Sequence, residues 1–307
     1  MPNILESLSN DLASAVETTA RSVVAIHARR RIPSSGALWR PGLVVAANHT
    51  VQRDEDIPVI SEGGSEVRGK VIGRDPTTDL CLLRLPNASD APAVTLDLVT
   101  MRVGQLALIV GRPGKEATAS LGVVSATGAA WRTARGGRID QFVKLDVAIY
   151  DGFSGSPFVT ASGKTAGLCT SGLARGAALA IPAMTINRVV ETLLAHGGVS
   201  PRGFLGIATQ LVPLPDSIRE QITPIGGRVP QTGLMVISVQ PGTAAGRAGL
   251  MLGDLLVGLG DEIIEDPRDV FAALGPDTVG QRLNATIIRG GQRIELALTI
   301  DEYPTAR

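Results

Sequence analysis

The sequence predicts a mainly β protein: an all-β barrel or sandwich, then a smaller module that mixes strands with short helices. Three observations carry this. From residue 22 to residue 182, short runs rich in Val, Ile, Leu and Ala recur about every ten residues with turn residues between them. The chain holds 36 glycines but only 3% aromatic residues, which provides many turns and few bulky core side chains. Beyond Pro201 the texture shifts to a strand, a polar Pro-containing stretch, two short helical segments and a final hairpin. A length of 307 residues exceeds one ordinary core of about 100–200 residues, so two domains are expected.

The elements follow in order. Within residues 1–20, Ile4, Leu5, Leu8, Leu12, Val16 and Thr19 recur at helical spacing, giving an amphipathic helix that lies on its own domain or serves as an oligomer arm. The first domain is expected over 21–198. Residues 22–28 read as a buried strand closed by Arg29-Arg30-Arg31, a solvated strand end. Residues 34–39 and 43–50 form a hairpin around Arg40-Pro41-Gly42 that ends near His49. Further strands are expected at 67–72, 79–85, 105–110, 119–125, 142–149, 158–160, 166–170 and 177–182. A helix over 183–196, stopped by Gly197-Gly198, closes the domain. The second domain, 202–303, contains strands at 233–239 and 253–259, helices at 243–249 and 267–274, and a hairpin over 281–300. Residues 213–231 form an insertion that could fold over a neighbouring groove.

Composition narrows the function. Formal net charge is zero, which gives no electrostatic reason for nucleic acid or an anionic membrane as partner. Three scattered histidines (His27, His49, His196) and two cysteines offer no metal-ligand spacing, and no cofactor motif occurs. Cys81 and Cys169 sit in apolar runs and read as small buried hydrophobes; spacing does not decide whether they pair. No run approaches 18 apolar residues and no basic-then-apolar leader opens the chain, so as it stands it reads as cytoplasmic, or extracytoplasmic if a leader was removed.

The chemistry concentrates in Asp151-Gly152-Phe153-Ser154-Gly155-Ser156-Pro157. Ser154 lies between glycines, in a turn that can expose one hydroxyl and aim backbone N–H groups at a neighbouring point. Acyl transfer needs both a nucleophile and donors for the oxyanion. A serine hydroxyl also needs a base, and the base needs a carboxylate. His49 at a strand end and Asp79 opening an apolar strand supply them, in the chain order His49, Asp79, Ser154. The N–H groups of Gly152 and Ser154 are the candidate oxyanion donors. An α/β-hydrolase is disfavoured, because there the nucleophile precedes the acid and the histidine.

These motifs resemble the trypsin-like HtrA/Deg serine proteases, a protease domain followed by a PDZ domain. Ala46-Ala47-Asn48-His49 is similar to the family's histidine motif, and Asp75-Pro76-Thr77-Thr78-Asp79-Leu80 to its aspartate motif. Arg102-Val103-Gly104, Gly111-Arg112-Pro113-Gly114 and Ala180-Ile181-Pro182 match further landmarks. The resemblance implies a double β-barrel with the active site between the barrels. It implies a specificity pocket lined by Ile149, Ala177, Ala178 and Leu179, with no aspartate at its base and a preference for small or medium aliphatic P1 residues. The serine loop departs from the family's Gly-Asn-Ser-Gly-Gly-Pro at Phe153 and Ser156. If position 156 required φ > 0, its serine would cost about 1–2 kcal/mol.

Phe204-Leu205-Gly206-Ile207 resembles the carboxylate-binding loop of PDZ domains, whose Leu205, Gly206 and Ile207 N–H groups would cradle a peptide C-terminus. Val270 and Leu274 would line the groove. The family reading implies an ATP-independent endopeptidase of protein quality control, acting on unfolded or damaged polypeptides, without cofactor or metal, and able to form a homo-trimer. The alternative is a catalytically silent PDZ-containing chaperone or adaptor.

Overall fold

The computed structural model describes residues 3–86, 91–174, 176–220, 222, 224 and 228–304. It resolves into two compact units, Met1–Trp131 with Ile139–Ser200, and Arg132–Arg138 with Pro201–Arg307. The first unit opens with helix α1 (Ile4–Ala20), capped by the Asn3 side chain, which accepts the Leu5 N–H. Only the C-terminal part of α1 is seated: Thr19 and Ala20 are buried, and Ala15 and Val16 pack against Val23, Leu108, Val110 and Val159. Ile4 stays 83% exposed and Leu5 72%, so the apolar start of the helix stands free of its own domain.

Strands β1 (Val23–Ile26), β2 (Ser34–Arg40), β3 (Leu43–Ala47), β4 (Ile57–Ile60), β5 (Glu66–Asp75) and β6 (Leu80–Arg84) close into a barrel in the order β1-β2-β3-β6-β5-β4. Next come β7 (Leu106–Gly111), β8 (Thr118–Gly128), the short pair β9 (Trp131–Arg132) and β10 (Arg138–Ile139), then β11 (Phe142–Asp146), β12 (Pro157–Val159), β13 (Thr165–Thr170) and β14 (Ala178–Pro182). A second closed barrel has the order β11-β14-β13-β12-β7-β8. Closure leaves no exposed sheet edge, which a chain of many short strands must otherwise protect.

Strand alternation builds the cores. Val44 and Ala46 of β3, with Cys81 and Leu83 of β6, fill the first barrel. Their neighbours Val45, Leu80 and Leu82 face outward onto helix α2 (Ala183–Ala195), meeting Ile186, Val189, Val190 and Leu193. These strands are therefore buried on both faces and read as continuous apolar runs. The second barrel encloses Ile109, Val124, Leu145, Phe158 and Cys169. Cys81 and Cys169 thus occupy different barrel interiors, and both are free thiols. Burial raises each of them to about 12.

One buried cation ties the pieces. Arg112 is only 2% exposed and donates to the carbonyls of Val23, Ala20 and Lys115. It thereby fastens the end of α1 and the start of β1 to the second barrel.

The second unit is a sheet in the order β16-β17-β18-β20-β21, where β16 is Ile207–Pro213, β17 Thr232–Val239, β18 Leu255–Leu259, β20 Arg282–Arg289 and β21 Gln292–Thr299. Strand β19 (Glu262–Ile263) pairs with β18, and β15 (Gly203–Phe204) with β22 (Asp301–Glu302). Helices α3 (Asp216–Arg219), α4 (Ala244–Arg247) and α5 (Pro267–Ala273) complete it. Helix α5 starts with a capping box, Asp266 and Asp269 each taking a backbone N–H. Leu256 and Ile287 belong to the main core with Leu205, Ala273 and Leu274. Their strand neighbours Val257 and Ile288 project from the opposite face and are covered by Leu214, Ile218 and Ile222. The described part of the 213–231 insertion therefore packs beneath the sheet, not over the groove: the apolar residues on that face needed a cover. Among the described residues no helix is long and apolar enough to cross a membrane.

Candidate active site

His49 lies in a single 3₁₀ turn (Asn48–Thr50) at the end of β3, and Asp79 in the turn that precedes β6. The two strands are paired, Ala47 opposite Leu80, so the turn residues meet. Asp79 Oδ2 is 2.8 Å from His49 Nδ1, and Oδ1 accepts the His49 backbone N–H at 2.9 Å. A third donor crosses from the other barrel: Thr170 Oγ1 gives its proton to Asp79 Oδ2 at 2.5 Å. Three donors satisfy a carboxylate that is 3% exposed, which a bare burial could not. Asp79 has φ 60°, a left-handed conformation that Asp tolerates better than most residues.

Ser154 faces this pair from the β11–β12 loop. Left-handed backbone falls on Gly152 (φ 90°) and Gly155 (φ 92°), not on Ser156. A Cβ at Gly155 would stand 2.2 Å from the Ser35 carbonyl oxygen, so glycine is required there twice over. The strain feared for Ser156 does not arise; its hydroxyl is buried and, among the described residues, has no hydrogen-bond partner. Phe153 turns away from the cleft, fully buried, with its ring edge-on to Tyr150 at 5.2 Å.

The loop spends its backbone donors selectively. Phe153 N–H bonds Tyr150 O, Gly155 N–H bonds Cys169 O, and Ser156 N–H bonds Phe153 O. Among the described residues, the N–H groups of Gly152 and Ser154 have no partner. Ser35 fixes the intervening peptide, since its N–H and its hydroxyl both donate to Gly152 O at 2.9 Å. The Ser35 hydroxyl in turn accepts the Arg112 N–H.

A cleft of about 400 Å³ opens here, and both barrels line it. His49, Gly152, Ser154, Ile149, Ala177 and Ala178 all border it. Leu179 does not; it is buried within β14. Neighbours on a strand face opposite sides, so Ala178 and Leu179 cannot both reach one pocket. Arg29, Asp151 and Ser171 also border the cleft and were not singled out from sequence. Gly172 was missed too: a Cβ there would lie 2.5 Å from both His49 Nδ1 and Asp79 Oδ2. Its glycine leaves room for the pair.

The second unit has its own groove of about 320 Å³, bordered by Phe204, Leu205, Gly206 and Ile207 on one side and Val270 and Leu274 on the other. Phe271 and Tyr303 extend it. Gly206 has φ 77°, and the N–H groups of Leu205 and Gly206 have no partner among the described residues.

Residues 34–168 match the trypsin-like peptidase domain model, and residues 203–300 the PDZ domain model. Over 288 residues the chain is 33% identical to a probable periplasmic serine endoprotease DegP-like of Brucella suis biovar 1, covering 91% of this chain and 54% of that one. The chain belongs to the HtrA/Deg family. The DegP-like relative of Rhizobium meliloti is 32% identical over 90% of this chain and 55% of its own. An HtrA-type protease, AlgW, solved with a decapeptide, superposes with TM-score 0.67 at 25% identity, covering 96% of this chain and 99% of that one. This HtrA/Deg chain therefore spans about half the length of the curated relatives it matches. Its architecture, two six-stranded barrels followed by one PDZ domain, is that of a trypsin-like HtrA protease.

Proposed function

We propose that this HtrA/Deg chain is an ATP-independent serine endopeptidase that cleaves unfolded or damaged polypeptides. One observation carries the reading: a buried, triply hydrogen-bonded Asp79 holds His49 in the cleft where Ser154 sits beside two unpartnered N–H groups. Ser154 Oγ attacks the scissile carbonyl carbon while His49 Nε2 takes its proton. Asp79 accepts from Nδ1–H and stabilises the imidazolium. The oxyanion is received by the N–H groups of Gly152 and Ser154, where losing one donor costs about 3–4 kcal/mol. His49 then protonates the leaving amine, and a water repeats the sequence to release the acyl group.

Ile149, Ala177 and Ala178 give the P1 side of the cleft small and aliphatic walls. In a fluorogenic peptide panel, cleavage after Val, Ala or Leu is expected to exceed cleavage after Arg or Lys; the reverse order would refute the assignment. The groove of the second unit is read as the site for a peptide C-terminal carboxylate, laid along β16 as an added strand. Gly206→Ala must hold a side chain at φ 77° with its Cβ 2.4 Å from Thr243 Oγ1. Relief of about 1–2 kcal/mol of backbone strain by a shift of the loop and its N–H donors is expected to lower peptide affinity about fivefold to thirtyfold in fluorescence polarisation. An extracytoplasmic site of action agrees with the periplasmic names of the relatives.

The deciding experiment is covalent labelling by a fluorophosphonate together with casein digestion, each with Ser154→Ala as control. Labelling and digestion that both vanish in the variant support the enzyme. A protein that binds peptides but is neither labelled nor proteolytic would be the silent adaptor.

A further inference from the structure

The Ser154 hydroxyl is not on His49. Among the described residues its hydrogen bonds are both to one residue: the two hydroxyls pair at 3.1 Å, where either oxygen can donate, and Ser154 Oγ accepts the Ser171 backbone N–H at 3.3 Å. No hydrogen bond joins Ser154 to His49, although both border the same cleft and the His49 side chain is 35% exposed. Ser171 follows Thr170, the residue that anchors Asp79, and precedes Gly172, which leaves space for the histidine–aspartate pair. It thus lies in the same segment that supports His49. Two hydrogen bonds tie the nucleophile to Ser171, and none ties it to His49.

We propose that Ser171 is a positioning residue that competes with His49 for the Ser154 hydroxyl and so sets how much of the free protein carries an aligned nucleophile. This rests on the acyl-transfer reading given above. The Ser171 N–H draws on one of the two lone pairs of Ser154 Oγ. The backbone donor is present whatever stands at position 171, so the side-chain hydroxyl is the tunable part of the hold. A neutral hydrogen bond of this kind shifts a balance by roughly threefold to tenfold. Ser171 is exposed, so its substitution does not disturb a core.

The first test does not need activity. The ¹⁵N resonance of His49 Nε2 moves upfield when that atom accepts a hydrogen bond. The Nε2 signal is followed in the parent and in Ser171→Ala, each with and without Ser154→Ala; Arg29 and Asp151, which border the cleft, and Asp79, buried behind His49 on its Nδ1, are common to all four. Removing Ser154 is expected to leave the resonance unmoved in the parent and to move it downfield in the Ser171→Ala background. An equal shift in both backgrounds would mean that Ser154 already rests on His49, and the proposal falls.

The second test reads the rate of labelling of Ser154 by a small fluorophosphonate, in which the Oγ–P bond forms and fluoride leaves. Ser171→Ala is expected to label roughly threefold to tenfold faster than the parent, and Ser171→Thr, which keeps the hydroxyl, at the parent rate. Labelling of Ser171→Ala at or below the parent rate would overturn the proposal. Failure of every variant to label would instead count against the acyl-transfer reading, while the resonance cycle still decides where the Ser154 hydroxyl sits.

Discussion

Asp79→Asn is expected to lower kcat/KM on a fluorogenic peptide by about 10⁴-fold, some 5.5 kcal/mol of transition-state stabilisation, while the protein stays folded. All three partners of the carboxylate are donors: the His49 N–H, the His49 ring N–H and the Thr170 hydroxyl. A carboxylate accepts all of them. An asparagine amide must turn an NH₂ toward one, and if it faces Nδ1 the ring proton moves to Nε2. That tautomer cannot take the proton of Ser154. The backbone is the reason to choose Asn: Asp79 has φ 60°, which Asn tolerates, whereas Ala would add about 1–2 kcal/mol of strain and blur chemistry with stability. Activity within tenfold of the parent, with an unchanged melting temperature, would show that Asp79 is not the partner on which His49 depends.

The three residues of that array were legible in the sequence because each sits in a locally marked setting. His49 ends a strand, Asp79 breaks an apolar run with a charge, and Ser154 lies between glycines. Their supporting neighbours carry no such mark. Thr170 and Ser171 look like any polar strand end until β13 closes the second barrel and brings them against Asp79 and Ser154. Gly172 reads as a turn glycine, yet its function is space beside His49. For Leu179 the resemblance places the whole 177–179 segment at the pocket, but alternation along β14 turns that residue away from the cleft. Tyr303 joins the groove of the second unit from a distant chain position, through the pairing of β15 with β22 that no local pattern announces, and Phe271 lies on α5 beside Val270 and Leu274. The double barrel itself was only implied by resemblance, because strand spacing alone does not separate one barrel from two, or a barrel from a sandwich.

The largest stability effect is expected in the second unit, from Arg289→Ala. Asp254 is 1% exposed, in the turn that leads into β18. Arg289, at the end of β20, binds it with two parallel hydrogen bonds, Nε to Oδ1 at 2.7 Å and Nη2 to Oδ2 at 2.8 Å. The same Nη2 donates to Gly249 O, so one guanidinium secures both ends of the turn. Without it the buried carboxylate keeps the Met251 N–H as its remaining partner and is an uncompensated charge. Removing one member of a buried pair costs about 3–5 kcal/mol. Because the Arg289 side chain is 31% exposed, water can partly replace it, which favours the lower end of that range, about 3 kcal/mol. Lysine at 289 would restore the charge but not the two-point geometry, and is expected to recover only part of the loss. The double variant Arg289→Ala with Asp254→Asn separates the causes. If the stranded charge dominates, adding Asp254→Asn should raise the denaturation midpoint above that of Arg289→Ala alone. If the double variant is no more stable than the single, the damage lies in the lost tie to Gly249 and not in the buried carboxylate.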